Sequence, residues 1–233
     1  AAGTINAGAM TGAYVQSGAS IGASTITGGA GADTLYGSAG TATTLAGGAG
    51  IDTIYGGTAV DTITGGAGAD VIYGTTGDDN VDGGAGDDNF IYASAELIST
   101  ETIDGGAGTK DKITIEDLVA AVDADFTLMS NVEILAGDAS GLSATIGAEA
   151  MAAGITTVNF TASSTLSETV TVAKEFTSAL TVNLDTFTTA GNGENSFVAS
   201  ASVAAITFVA SAAAEIANVT NAGDLILTGG TST

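Results

Sequence analysis

Aspartates at Asp33, Asp52, Asp61, Asp70, Asp79 and Asp88 all hold the sixth place of a nine-residue unit that recurs from Gly28 to Ile91. The units read GGAGADTLY, GSAGTATTL, GGAGIDTIY, GGTAVDTIT, GGAGADVIY, GTTGDDNVD and GGAGDDNFI, and the frame resumes from Gly105 as GGAGTKDKI. The sixth-place aspartate is the strong ligand that the repeat offers in its turn. A carboxylate in a glycine-rich bend serves two purposes in general. It is a hard oxygen donor for a cation, and it is a common turn former beside glycine.

The residues around the aspartates indicate what positions them. The leading glycines and the glycine at the fourth place allow backbone angles that a Cβ would forbid, so the first six residues can form a tight turn. The last three form a short strand whose middle residue points inward (Leu35, Ile54, Ile63, Ile72, Val81, Phe90) while its neighbours point outward. A fixed period of this kind predicts a solenoid.

These units resemble the GGxGxDxUx nonapeptide of the RTX family, whose parallel β-rolls bind calcium. In that family two nonapeptides make one coil, so stacked turns lie about eighteen residues apart. The turns starting at Gly47, Gly65 and Gly83 agree, and Gly28 precedes Gly47 by one residue more, with Ala46 taken as the extra residue. The resemblance then implies one column of Asp33, Asp52, Asp70 and Asp88. The opposite column starts at Gly37, Gly56 and Gly74, with Ala42, Asp61 and Asp79 at its ligand places. Calcium would sit between successive turns, held by these carboxylates and by carbonyls of Gly29, Gly31, Gly48, Gly50, Gly57, Gly66, Gly68, Gly77, Gly84, Gly86, Gly106 and Gly108. Asp111, displaced by the inserted Lys110, is a further candidate. One ion per adequate pair of turns implies about four or five ions in this block.

Composition bounds the rest. The chain has 233 residues, no Cys, Pro, His or Trp, three Lys plus Arg and 26 Asp plus Glu, for a formal charge of −23. So few basic residues exclude nucleic acid as a partner, and an anionic membrane surface would repel the chain. No apolar run approaches the length of a membrane span. Bound divalent cations would offset much of the charge, so folding is expected to depend on calcium. A calcium-demanding, cysteine-free solenoid fits a secreted, extracellular or cell-surface setting. The family's type I secretion carries a C-terminal signal that is not visible here.

Outside the nonapeptides the expected organisation is an all-β chain, a parallel β-roll continuing into a parallel β-helix solenoid. Residues 1–27 read as a cap-like coil, with Ile26 inward and Ser24 where an aspartate would stand. Residues 28–115 are the β-roll, interrupted at 92–104 by a segment read as a solvated loop from which Glu96 and Glu101 could reach a cation. Residues 116–233 are the β-helix, in coils of about 24 residues marked by Ile134, Val158, Val182 and Ile206, with intervening strands near Ile146 and Val170. EDLVAAVDAD, Glu116 to Asp125, is the one helical-looking piece. An antiparallel sandwich is the rival arrangement. Asp138, Asp185, Glu194 and Asp224 are acidic candidates without a motif. Ala1 reads as an internal boundary, and LILTGGTST closes as if another nonapeptide were starting.

No His, no Cys, no HExxH and no GxSxG leave metalloprotease, thiol and Ser-His-Asp chemistry without residues, so the chain is expected not to be an enzyme. AGITTVNF following NVEIL resembles the β-helical stretches that alternate with RTX blocks in bacterial surface-layer proteins and large RTX surface proteins, which implies a structural module of a surface layer or filament. Alternatives are a spacer or ligand-binding module of a giant RTX adhesin, or the secretion and folding block of an RTX exoprotein. Self-association into a lattice or filament is the expected partnership, without membrane insertion, and a cell-surface polysaccharide is a candidate partner. Tyr36, Tyr55 and Tyr73, followed by Ile91, form a ladder at the outward ninth place, suited either to stacking between coils or to a lateral contact.

Overall fold

The computed structural model describes residues 3–8, 23–117, 120–138, 141–160, 169–184, 196–199, 205–210, 219–220 and 225–229. The chain divides into two compact units, Ala1–Ile113 with Leu128–Val132, and Thr114–Thr127 with Glu133–Thr233.

In the first unit the backbone alternates between two parallel sheets. One carries, in order, Gly3–Asn6, Ala23–Gly29, Thr44–Ala49, Thr62–Ala67, Asn80–Ala85, Thr102–Asp104 and Met129–Ser130. The other carries Thr34–Tyr36, Thr53–Gly57, Val71–Thr75 and Asn89–Tyr92, with Lys112–Ile115 next. Neighbouring strands are one full coil apart, which is the parallel β-solenoid expected from the period. In the repeats each strand turns one apolar side chain inward, the other buried place being a glycine, while Asn89–Tyr92 and Lys112–Ile115 bury Tyr92 and Ile115 there as well. Ile26, Leu45, Ile63, Val81 and Ile103 from one sheet meet Leu35, Ile54, Ile72, Phe90 and Ile113 from the other, none more than 1% exposed. Burying each such side chain contributes about 1.5–3 kcal/mol, so this single file of side chains is the apolar core of the block. On the outside, the rings of Tyr36 and Tyr55 stack at 4.7 Å and those of Tyr55 and Tyr73 at 4.5 Å.

The register corrects the sequence frame at one coil. Ala46 pairs with Thr64 and Leu45 with Ile63, so Ala46 is an ordinary ninth residue. The extra residue lies earlier, inside the turn after Gly37, where a bend absorbs it without shifting the inward side chain. Thr43, not Ala42, therefore stands opposite Asp61, and its N–H donates to Asp61 Oδ1 at 2.7 Å.

The interruption at 92–104 is also not a solvated loop. Its end, Thr102–Asp104, pairs with Asn80–Asp82, placing Ile103 beside Val81. Leu97 and Glu101 are fully buried, as is Tyr92 just before them.

The second unit holds parallel strands in two rows. Ile134–Gly137, Thr157–Asn159, Leu180–Leu184, Ile206–Ala210 and Leu225–Gly229 form one, and Ser143–Ile146, Thr169–Val172, Ser196–Ala199 and Val219–Thr220 the other. The 24-residue step holds from Val158 to Val182. Elsewhere the coils vary in length. Leu135 rather than Ile134 sits opposite Val158, Phe208 rather than Ile206 opposite Val182, and Val172 rather than Val170 opposite Ile146. The helix expected at 116–125 is reduced to a 3₁₀ turn, Asp123–Phe126. The α-helix lies at Ala148–Ala153, and Asp123 caps it from the preceding coil. Asp123 Oδ1 accepts the N–H groups of Gly147 (2.6 Å) and Ala150 (3.0 Å), and Oδ2 that of Glu149 (3.2 Å). Three otherwise unmatched amide donors thereby find an anionic acceptor at the positive end of the helix.

Candidate metal centre

Along each turn edge of the first unit the aspartates form a continuous ladder. The N–H of Asp33 donates to Asp52 Oδ1 at 2.7 Å, that of Asp52 to Asp70 at 2.7 Å, that of Asp70 to Asp88 at 2.7 Å, and that of Asp88 to Asp111 at 2.8 Å. On the opposite edge the sequence is Thr43 to Asp61, Asp61 to Asp79 at 2.8 Å, and Asp79 to Glu101 Oε1 at 3.2 Å. One carboxylate oxygen per turn thus satisfies the amide of the turn before it. This is why the residue must be acidic or an amide, and why it recurs once per coil.

The second oxygen is different. Oδ2 of Asp52, Asp61, Asp70, Asp79 and Asp88 is buried and has no hydrogen-bond partner. A buried anionic oxygen without a partner is costly, and the pKa directions reflect this. Burial holds the carboxyls of Asp61, Asp70, Asp79 and Asp88 up at about 6 against an ordinary 3.8. The backbone N–H each accepts works in the opposite direction, and neighbouring carboxylates raise the values further. Asp52 is raised for the same first cause. Glu101 is raised to about 8 by burial, with Asp79 and Asp78 adding to the shift.

The glycines complete the arrangement. A Cβ on Gly65 would meet Asp70 Oδ2 and the Gly83 carbonyl oxygen, each at 2.5 Å, and Gly28, Gly47 and Gly83 face the same pair of groups in their own turns. That first glycine exists to leave room for the orphaned oxygen. The second and fourth places build two files in which the carbonyl of one turn lies against the next turn's Cα. Gly29, Gly48, Gly66, Gly84 and Gly106 form one, and Gly31, Gly50, Gly68, Gly86 and Gly108 the other. On the opposite edge Gly57 lies against Ser38 and Gly77 against Ala59 in the same way. Gly66, at φ 119°, shows why a side chain is excluded: the angle is left-handed and the Gly48 carbonyl fills the space. Thr75 holds the corresponding place in its own turn at φ 71°, with its hydroxyl against Gly57.

Among the described residues no three carboxylates converge. The donor set is the orphaned carboxylate oxygens of Asp52, Asp61, Asp70, Asp79 and Asp88 beside files of backbone carbonyls, all hard oxygen donors, which suits calcium and does not suit a thiolate- or imidazole-seeking metal. The residues present fit the cation that the resemblance implies.

Sequence reasoning placed Asp33, Asp52, Asp70 and Asp88 in one column and Asp61 and Asp79 in the other, where the ladders contain them. Asp111 joins the first column because its turn takes up Lys110 as an extra residue before the ladder bond to Asp88. Glu101 was missed as a column member. Its turn, YASAELISTE, has none of the repeat's glycines, and the signal lies only in the TID that follows, which resumes the strand beside Asn80–Asp82. Asp138 lies at a bridge to Gly141, its N–H donating to the Ile115 carbonyl, while Asp185, Glu194 and Asp224 fall outside the described residues.

Comparison with known proteins agrees with this geometry. Residues 19–43, 41–72 and 56–90 match the family model described as RTX calcium-binding nonapeptide repeat (4 copies). No curated protein and no solved structure matches the chain. Residues 19–90 are thus RTX calcium-binding nonapeptide repeats, and the chain is a calcium-binding repeat module built on them.

Proposed function

We propose that this chain is a calcium-dependent structural module of a bacterial extracellular surface assembly, a surface layer or filament. The observation that carries the reading is the pair of ladders in which Asp52, Asp61, Asp70, Asp79 and Asp88 each leave one buried oxygen without a hydrogen-bond partner. A cation between turns neutralises those oxygens and bridges one coil to the next. The solenoid then gains in rigidity what it lacks in core, since its interior is one side chain wide. Counting the aspartate-to-aspartate steps of both ladders, about five ions fill the block, four along the column from Asp33 to Asp111 and one between Asp61 and Asp79. The ligands are the aspartates at Asp33, Asp52, Asp61, Asp70, Asp79, Asp88 and Asp111 with the glycine carbonyl files beside them.

The sequence supplies no His or Cys for catalysis, and no described helix is long and apolar enough to cross a membrane. Proteins with such repeats are in general secreted, and at extracellular calcium levels a module of this charge folds where it is needed. Calcium titration followed by circular dichroism and by electron microscopy on the same sample tests the reading. Calcium should raise the β-signal and produce ordered sheets or filaments that a chelator dissolves. Folding with no assembly would move the module to the spacer or secretion-block reading, and no response to calcium would remove both.

A further inference from the structure

The turn at 93–101 lacks the glycines of the repeat, yet it rebuilds the second column. Asp33, Asp52, Asp61, Asp70 and Asp88 each give their N–H to the aspartate of the next turn, and Asp79 gives its own to Glu101 Oε1 at 3.2 Å. Thr102–Asp104 then runs beside Asn80–Asp82 in the register that Asn80–Asp82 keeps with Thr62–Thr64. Glu101 therefore stands where Asp61 and Asp79 stand in their turns.

Its surroundings are built rather than incidental. Glu101 is 0% exposed and Asp79 1%. Glu101 Oε2 accepts the hydroxyl of Tyr92 at 3.4 Å, and that ring, itself fully buried, packs against Gly74 where a Cβ would collide with it. Oδ2 of Asp79 is buried without a hydrogen-bond partner. The charges that reach Glu101 are those of Asp79 and Asp78, and those that reach Asp79 are Asp78 and Glu96, so every one of them is negative. Asp78 is held by the Thr100 hydroxyl at 2.8 Å and Glu96 by the Ala93 N–H at 3.3 Å, which keeps both close to the turn. Two buried carboxylates in a field of like charge, one with an unmatched oxygen, require a positive charge that no side chain here supplies.

We propose that Asp79 and Glu101 hold one further hard divalent cation of the calcium type, in a site closed by the non-repeat turn 93–101 and outside the nonapeptide pattern. Glu101 is an anionic ligand, and Tyr92 orients it through its hydroxyl. The longer side chain of glutamate lets a turn without glycines, whose backbone cannot follow the repeat's bends, bring a carboxylate to the column.

The inference rests on the calcium reading above, and the test separates the two. Native mass spectrometry of the full chain at pH 7 in calcium counts bound ions for the wild type, Glu101→Gln and Tyr92→Phe. The expected result is one ion fewer in Glu101→Gln at unchanged circular dichroism, with Tyr92→Phe needing more calcium to reach its full count. An unchanged count in Glu101→Gln overturns the inference and leaves Glu101 a hydrogen-bond cap, while no bound ion on the wild type overturns the calcium reading itself. If Glu101→Gln does not reach the wild-type β-signal, terbium in place of calcium decides through emission excited at tyrosine. Loss of part of that emission in Tyr92→Phe at equal terbium occupancy supports a cation beside Tyr92, and unchanged emission overturns it.

Discussion

Replacing Asp70 by Asn separates the two tasks of one carboxylate. Asp70 Oδ1 accepts the Asp52 N–H at 2.7 Å, and Oδ2 is buried without a partner. Burial holds its pKa at about 6 in the folded chain against 3.8. A folded-state value raised in this way contributes stability that is present below pH 3.8 and lost as pH rises through about 6. At neutral pH without cations, the ionised carboxylate therefore costs the fold about 3 kcal/mol, from roughly two pKa units at 1.36 kcal/mol each. Asparagine keeps the acceptor for Asp52 and removes the charge, although its amide leaves a buried donor worth about 1–3 kcal/mol. The metal-free fold should thus be unchanged or more stable by up to about 2 kcal/mol. In calcium the sign reverses: Asp70 borders two steps of the column, and each site lost that was filled at about 100 times its Kd costs about 2.7 kcal/mol.

Circular dichroism in chelator from pH 7 to pH 4, paired with a calcium titration at pH 7, reads both effects. The wild type should gain β-signal on acidification through pH 6. Asp70→Asn should begin that gain at the same or a higher pH while requiring more calcium at pH 7. If Asp70→Asn weakens the chelated and the calcium-loaded chain equally, Oδ2 is neither an electrostatic burden nor a ligand, and the reasoning fails.

Other substitutions test other links. Gly66→Ala puts a Cβ against the Gly48 carbonyl at a left-handed φ and should cost about 2–4 kcal/mol with calcium and without, read by thermal melting in each condition. Thr75→Gly relieves a φ of 71° that costs a non-glycine residue about 1–2 kcal/mol and should raise the melting temperature, unless the hydroxyl contact with Gly57 outweighs the strain. Asp123→Ala removes the acceptor of three amides at the helix Ala148–Ala153 and should cost about 1–2 kcal/mol by the same measurement, with no change in calcium stoichiometry. Tyr55→Ser breaks both ring stacks and should cost about 1–3 kcal/mol. Ordered assembly that persists in electron microscopy assigns the ladder to packing between coils alone.

Much of the first unit was readable because its information is local and periodic. A nine-residue rule names the turn, the ligand and the inward side chain together, and parallel stacking repeats the rule once per coil. It failed where an extra residue could hide inside a turn. Sequence cannot say whether the extra residue between Gly37 and Gly47 is Ala46 or a residue of the bend. Only the pairing of Leu45 with Ile63 places it, because the buried side chain holds the register. In the second unit the strands were visible but their alignment was not, since coils of unequal length leave no period to count.

What the sequence determined alone is the chemistry and the architecture. Aspartate at a fixed place among glycines dictates hard oxygen donors on a parallel solenoid, and the scarcity of basic residues leaves added cations to balance the charge. Tertiary structure decided which groups share an interval. Glu101 enters the second column from a turn with no motif, Asp123 caps a helix one coil away, and Oδ2 is orphaned because the neighbouring turn leaves it no donor. Each is a contact between residues more than twenty apart, or an absence of one. Such relations are set by how coils stack, and no window of sequence contains them.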